Sequence, residues 1–512
     1  MNQRSLSDTP SQQKGKVYLI GAGPGDPGLI TLRGVECLRR ADVVLYDYLV
    51  NARILEHTRV DAELICLGKH GRTRIWSQQE INDALVRLAR EGKIVARLKG
   101  GDPAVFARGA EEIETLAQGG IPFEIVPGIT AALAAGSYAG IPITHRELAS
   151  AVALVTGHED PDKDTSAIDY QALAAFPGTL VFYMGITTAR TWSQEMMDAG
   201  KSPDAPVAII RRCSLPDQQR ISCTLGEVAE TLETQKIRPP TIIVVGEVAT
   251  LADTFSWFEK RPLFGQRILV TRPRSQANKL CSILEELGAE TIVQPAIEIS
   301  EPADWQPVDG AIAQLKSFDW LVFSSSNGVR YFIDRLLATG SDLRALGSIK
   351  LAAIGPGTAD ELSRFHLKVD LQPAEFRAEA LAAELTPLAN GKRFLLARAS
   401  RGREVLADEI TTAGGKVTQV VVYNSLDVES PDADIADELA AGKIHWVTVT
   451  SSAIARSLAS MFGGNLSQTR LASISPITSA TLRECGFEPD VEASDYTMSG
   501  VAGAIEHCLR NG

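Results

Sequence analysis

No run of apolar residues in this chain is long enough to cross a bilayer, so a membrane-embedded protein is not expected. The opening segment MNQRSLSDTPSQQK, residues 1–14, has no apolar core either, and it reads as a flexible tail rather than a signal peptide. The 7 cysteines (Cys37, Cys66, Cys213, Cys223, Cys281, Cys485 and Cys508) form no CxxC pair and no metal-ligand spacing. That pattern points away from a disulfide framework or a zinc site and towards reduced thiols in a cytoplasmic protein. Basic charge is also short: the formal net charge is -12 and neither half of the chain is basic, which argues against a sequence-independent grip on nucleic acid. With 45% hydrophobic and 22% charged residues the composition is globular, and 512 residues are too many for one ordinary core.

What is present is a series of apolar strands that stop at glycine-rich turns, the pattern of an α/β protein. The most informative stretch is residues 97–112, RLKGGDPAVFARGAEE. A strand over 93–98 is expected to break at Gly100-Gly101-Asp102-Pro103 and to continue as a helix from near Ala104. Ligands of open α/β sheets bind at such strand ends, where glycines let the backbone approach and amides are still unpaired. Arg97, Lys99 and Arg108 gather there around the carboxylate of Asp102, a mixture that suits a ligand with both signs of charge. Residues 16–32, KVYLIGAGPGDPGLITL, are similar to a dinucleotide fingerprint, but Pro24 and Asp26 stand where a pyrophosphate needs open backbone and a neutral turn. An NAD-dependent oxidoreductase is therefore the weakest reading. The strand 41–47 ends in the carboxylate of Asp47, and Lys69 follows a further strand at 64–68. Beyond the connector GIPITHR, strands at 151–156, 179–184, 206–210 and 241–246 alternate with helical patterns, which predicts a second parallel α/β unit.

The strings GAGPGDPGLITL, ADVVLYD, RLKGGDPAVFARGAEE, VPGITAA, GIPITHR, TGH, TLVFYMG and PPTIIVVGEV occur in that order. Over residues 15–260 they resemble uroporphyrinogen-III C-methyltransferase of the tetrapyrrole methylase family. The resemblance implies S-adenosyl-L-methionine bound between two α/β lobes and two methyl transfers to uroporphyrinogen III, giving precorrin-2 for sirohaem or cobalamin. It also implies cofactor contacts at Pro24, Gly100, Gly101, Asp102, Val105, Thr130, Ala131 and Met184, a proton acceptor at Asp47 and a proton donor at Lys69. Cys213 stands at a cofactor position that the family usually fills with glycine. An activated sulfonium methyl needs no metal; the enzyme has mainly to align it with an electron-rich pyrrole carbon, and orientation alone supplies roughly 7–11 kcal/mol in the best intramolecular cases. A carboxylate such as Asp47 then takes the proton the ring must lose, while Arg97, Lys99 and Arg108 are candidates to hold substrate carboxylates.

Residues 251–264 leave the apolar rhythm and read as a linker, at 261–264, into a second domain over 265–512. This half echoes itself at an offset of 126, residues 268–271 against 394–397 and 319–324 against 445–450, with 351–359 against 471–479 at a shorter offset. Two similar α/β lobes are expected, their strands ending in Ser, Thr or Gly before helix N-termini that suit carboxylates. The strings ILVTRP, WLVFSSSNGV, AAIGPGTA, EFRAEAL, WVTVTSS and ISPITSATL resemble uroporphyrinogen-III synthase, which closes hydroxymethylbilane with inversion of its last ring and loss of water. The resemblance places Tyr423 as the group that assists hydroxyl departure. Arg272, Ser325, Thr450 and Ser451 are candidate substrate-carboxylate ligands, against the plainer expectation that the serines cap helices.

The second half's product is the first half's substrate, so the expectation is a bifunctional enzyme of tetrapyrrole biosynthesis, with a homodimer through the methyltransferase domain. The alternative is a methyltransferase joined to a non-catalytic tetrapyrrole-binding module.

Overall fold

The computed structural model describes residues 15–68, 75–159, 167–347, 349–402 and 404–511. The segment 1–14 and Lys69 lie outside the described residues. By internal contacts the chain divides into two compact units, one running to Gln266 with Glu285–Glu290 added, the other made of Arg267–Leu284 and Thr291–Gly512.

The first unit holds two five-stranded sheets. Strands β1 (Lys16–Gly21), β2 (Val43–Tyr46), β3 (Glu63–Cys66), β4 (Ile94–Lys99) and β5 (Phe123–Val126) pair in the order β3-β2-β4-β1-β5. Every pair is parallel. Helices cover both faces, so β1 and β4 are buried along nearly their whole length rather than on alternate residues. The helix expected from Ala104 begins later, at Gly109–Gln118. Phe106 and Arg108 in the intervening turn take left-handed backbone angles, φ 48° and 54°, which no α-helix accommodates.

The second sheet combines β6 (Val152–Thr156), β7 (Thr179–Tyr183), β8 (Pro206–Arg211), β9 (Gln219–Thr224) and β10 (Thr241–Val245) in the order β6-β7-β10-β8-β9. Only β6 and β7 are parallel; β10 runs antiparallel to β7 and β8, and β8 to β9, so the parallel second unit expected from the sequence is corrected to a mixed sheet. The loop between β8 and β9 is too short for a parallel crossover, which forces a hairpin. Joining the lobes is the helix Ala131–Tyr138, whose small residues Ala132, Ala134 and Ala135 pack with Val181, Ala208, Ile210 and Val244 of the second sheet. The segment expected to be a linker at 261–264 is no free tether, since Leu263 is fully buried.

The second unit also contains two five-stranded sheets. One orders as β12-β11-β18-β19-β20, from β11 (Arg267–Val270), β12 (Glu290–Val293), β18 (Trp446–Val449), β19 (Arg470–Ser473) and β20 (Val491–Glu492). The other orders as β13-β17-β16-β14-β15, from β13 (Ile297–Ser300), β14 (Trp320–Phe323), β15 (Lys350–Ala353), β16 (Arg393–Ala399) and β17 (Lys416–Asp427). The sequence echo therefore relates β11 to β16, β14 to β18 and β15 to β19, at corresponding places in the two sheets. Its contacts repeat as well: Asp370 accepts from the Leu351 amide at 2.7 Å and Asp490 from the Leu471 amide at 2.8 Å. Lys350 lies over the Trp320 ring at 5.4 Å and Arg470 over Trp446 at 5.5 Å. One lobe is built from the two ends of the unit and the other from its middle.

Candidate functional sites

In the first unit the glycine turns after β1, β4 and β5 pack backbone against backbone. Gly23 and Gly101 exchange hydrogen bonds of 3.1 and 2.7 Å. A Cβ on Gly128 would lie 2.2 Å from the Gly101 carbonyl oxygen and 2.7 Å from Gly21 Cα, so no side chain fits there. Asp102 fastens the same turns: its carboxylate accepts from the Gly128 amide at 2.9 Å and the Ala104 amide at 2.7 Å. Asp26, in the first turn, accepts from the Tyr138 hydroxyl and the Gly28 amide, both at 2.8 Å. An acid held there closes the turn to a pyrophosphate.

Behind these turns lies a buried charge cluster. Arg97 and Lys99 occupy alternate positions of β4 and so share one face of the sheet. Their side chains are only 3% and 2% exposed, and Glu112, on the helix Gly109–Gln118, is wholly buried between them. One carboxylate oxygen of Glu112 accepts from Lys99 at 2.6 Å, Arg97 at 3.1 Å and Gln78 at 3.3 Å; the other has no partner. Arg97 reaches on to Asp47, Nη2 to Oδ1 at 2.7 Å, and Asp47 is the one member that opens to solvent, 31% exposed. Burial and the neighbouring Arg97 cation push the Lys99 amine below the ordinary lysine value. The expectation that Arg97 and Lys99 hold substrate carboxylates is thus corrected: both are committed to buried acids, and Arg97 orients Asp47. Arg108 is exposed and paired with Glu111 at 2.7 Å.

The second lobe closes on this face through Tyr183. Its hydroxyl lies 2.6 Å from Thr130 Oγ1 and accepts from the Ala132 amide at 2.9 Å, while its ring meets Phe106 at 5.0 Å. Burial raises the Tyr183 hydroxyl above its ordinary pKa. Met184, next in the chain, is 49% exposed with φ 54°, and Pro24 and Val105 are partly buried. Cys213 is buried; its thiol donates to the Ala131 carbonyl at 3.8 Å, and burial pushes it up to about 12. Phe106, Arg108, Met184, Arg212 and Ser214 all carry positive φ in the turns around this face. Such conformations each cost on the order of 1–3 kcal/mol and cluster where a ligand is clamped.

In the second unit the register of β16 with β17 shifts at Arg398/Ala399, a bulge that seats Tyr423 against Ala399. Tyr423 is buried, stacked on Tyr331 at 5.8 Å, with its hydroxyl 3.0 Å from Ser325 Oγ. Burial raises its pKa while the bond from Ser325 draws it down. Ser325 and Ser451 both cap helices, accepting from the Gly328 amide at 3.0 Å and the Ile454 amide at 3.2 Å. Arg272 donates to Thr450 Oγ1 at 3.2 Å at the end of β18. Among the described residues no group of three His, Cys, Asp or Glu is placed to hold a metal.

Glu112 and Tyr183 escaped the sequence reading. Two cations on one face of an apolar parallel strand require a buried acid, and the two glutamates closing RLKGGDPAVFARGAEE were the signal for it. Tyr183 stood inside TLVFYMG beside Met184 with no feature of its own.

The fold is that of a two-domain α/β protein, two sheets to a unit, with one candidate site in each unit. Known proteins make the class specific. The tetrapyrrole (corrin/porphyrin) methylases match residues 16–229 and the uroporphyrinogen-III synthase HemD family matches residues 278–503. The porphyrin biosynthesis protein HemD of Ruminiclostridium josui is 37% identical over 441 residues, 86% of this chain and 87% of that protein. The S-adenosyl-L-methionine-dependent uroporphyrinogen III methyltransferase of Methanosarcina barkeri is 48% identical over 239 residues, 47% of this chain and 94% of that protein. A crystal structure of uroporphyrin-III C-methyl transferase from Thermus thermophilus complexed with S-adenyl homocysteine is 40% identical, covering 46% of this chain and 93% of its own, with a TM-score of 0.39. The chain belongs to the tetrapyrrole methylase family over its first half and to the uroporphyrinogen-III synthase HemD family over its second.

Proposed function

We propose that the second unit converts hydroxymethylbilane to uroporphyrinogen III and that the first unit methylates this product twice, to precorrin-2, with S-adenosyl-L-methionine as donor. The observation that carries the reading is one carboxylate, Asp47, left half-open at the glycine-lined strand ends and held there by a buried arginine.

The first unit's residues fit the donor. A Cβ on Gly100 would meet nothing nearer than Leu49 Cβ at 3.6 Å, so the turn leaves room for a ligand, and Gly101, Thr130, Ala131 and Met184 surround the same face. Bound there, S-adenosyl-L-methionine supplies a methyl group already activated as a sulfonium. Gly100, Gly101, Asp102 and Val105 would hold it from the first lobe, and Pro24, Thr130, Ala131, Met184 and the Cys213 backbone would complete the cradle. Asp47 takes at Oδ2, which accepts no other hydrogen bond among the described residues, the proton that the methylated ring system must lose, while Arg97 fixes the carboxylate through Oδ1. Lys69 is its proposed acid partner, and Arg108 offers a charge to the substrate's carboxylates.

In the second unit, Tyr423 assists departure of the substrate hydroxyl as water, with Ser325 holding the phenol in place. Ser325, Thr450 and Ser451 offer hydroxyls to the carboxylates of the folded chain. Enclosure of the substrate does most of the work, since the wrong isomer forms without an enzyme. If the unit only binds tetrapyrrole, binding persists without turnover. A cytoplasmic location and pairing of two chains through the first unit belong to the same reading.

Asp47→Asn tests the methyltransferase assignment. Methyl transfer to uroporphyrinogen III should fall by about 100-fold or more, with the affinity for S-adenosyl-L-methionine within about threefold of wild type. An unchanged rate removes Asp47 from the mechanism.

A further inference from the structure

Arg272 is a partly buried arginine of the second unit. It follows β11 and donates to three neutral acceptors: the Gln276 carbonyl at 3.2 Å, Gln276 Oε1 at 3.0 Å and Thr450 Oγ1 at 3.2 Å. No carboxylate among the described residues pairs with it. Its counterpart in the internal repeat, Arg398, is paired with Glu404 and hydrogen-bonded to Gln419. Burial alone depresses the Arg272 pKa, which marks a cation taken out of water with no counter-charge. Neutral acceptors do not offset that cost, and a partly buried cation kept in this state fits a partner that arrives from outside.

The surroundings say what the partner is. Thr450 and Ser451 lead into the helix Ser452–Phe462, so hydroxyls and helix N-terminal amides stand beside the guanidinium. Gln276, which holds Arg272 from one lobe, also donates through Nε2 to Asn327 Oδ1 at 2.8 Å on the helix Ser326–Ala338 of the other lobe. That helix is the one capped by Ser325, the hydrogen-bond partner of Tyr423. Arg272 therefore lies where the two lobes touch, linked through Gln276 to the element that carries the proposed reaction centre.

We infer that Arg272 is the anchor for one side-chain carboxylate of the linear tetrapyrrole, with Gln276 as the positioning residue that aims the guanidinium and joins the anchored carboxylate to the opposite lobe. This rests on the synthase reading of the second unit. The ligand carboxylate takes the two forked donors now given to Gln276 and Thr450, and Gln276 keeps its bond to Asn327.

The test uses the full chain with Arg272→Gln, Arg272→Lys and Gln276→Ala. Arg272→Gln should raise the KM for hydroxymethylbilane about tenfold or more, the loss expected for one charge-assisted pair, and weaken binding of uroporphyrinogen III in parallel, with kcat changed less. Arg272→Lys should recover part of the loss, because it restores charge without the fork. Gln276→Ala should raise KM by a smaller factor. The thermal midpoint of Arg272→Gln should stay equal to or above wild type, because the substitution removes an uncompensated buried charge. Methyl transfer by the first unit is the internal control for an intact chain. An unchanged KM and unchanged product binding, or a lowered midpoint with KM unmoved, overturns the inference. If wild type itself yields only the type I isomer, the synthase reading fails instead, and uroporphyrinogen III binding alone then decides the anchor.

Discussion

Glu112→Gln probes the buried cluster that the first unit builds around Asp47. In wild type the two cations Arg97 and Lys99 are balanced by Glu112 and Asp47, and three of the four groups are almost wholly buried. Glutamine keeps an acceptor where Glu112 Oε1 takes Lys99, Arg97 and Gln78, but it puts an NH2 where the other oxygen has no partner. Breaking a buried ion pair from one side costs about 3–5 kcal/mol. Arg97 retains Asp47 while Lys99 keeps only neutral acceptors, so about 2–4 kcal/mol is the expected loss. For a unit of this size that is a fall of about 5–15 °C in its melting transition. Calorimetry on the full chain reads it, with the first unit's transition identified by loss of methyl transfer and the synthase activity as the unaffected reference. Lys99→Met in the Glu112→Gln background should recover part of the loss, because it removes the orphaned cation. A transition within about 1 °C of wild type, with methyl transfer unchanged, refutes the reasoning, since a cation without a partner cannot be free of cost in that core.

Tyr183→Phe removes the acceptor of the buried Ala132 amide and the partner of Thr130, so a loss of about 1–3 kcal/mol in stability is expected, with weaker S-adenosyl-L-methionine binding by calorimetric titration; unchanged affinity would detach Tyr183 from the cofactor face. Gly128→Ala should abolish cofactor binding while leaving synthase activity intact, because its Cβ meets backbone on two sides; normal binding would mean the turns do not need to touch. Glu124, paired with Arg33 and Lys16, has its pKa held down at about 2 against an ordinary 4.5. Its contribution is therefore complete above pH 4.5 and lost as the pH falls towards 2. The urea midpoint of wild type should exceed that of Glu124→Gln near neutrality and converge with it on acidification; a constant difference would refute the assignment.

The strands were legible because strands covered on both faces are buried nearly throughout, and the apolar runs 17–20 of β1 and 242–245 of β10 mark them. β9 was not, because Gln219–Thr224 is a polar edge strand, and β8 and β10 carry nothing in their own residues that says which way they run. The late start of the helix at Gly109 was hidden by Asp102-Pro103, a pair that imitates a helix start. Asp102 instead binds the Gly128 amide across a turn, a contact between segments far apart in sequence. The same limit applies to the charges: residue types placed Arg97 and Lys99 at the site, but only the fold shows that Glu112 takes them and that Asp47 alone faces outward. The internal repeat gave two lobes; that one of them is assembled from both ends of the unit follows from strand pairing, not from the echo.

The most direct measurement is mass spectrometry of the products formed by the purified chain from freshly made hydroxymethylbilane, with and without S-adenosyl-L-methionine. The account predicts uroporphyrinogen III alone without the donor and a dimethylated product with it. Only the type I isomer in the first case, or no methylated product in the second, would contradict the bifunctional reading.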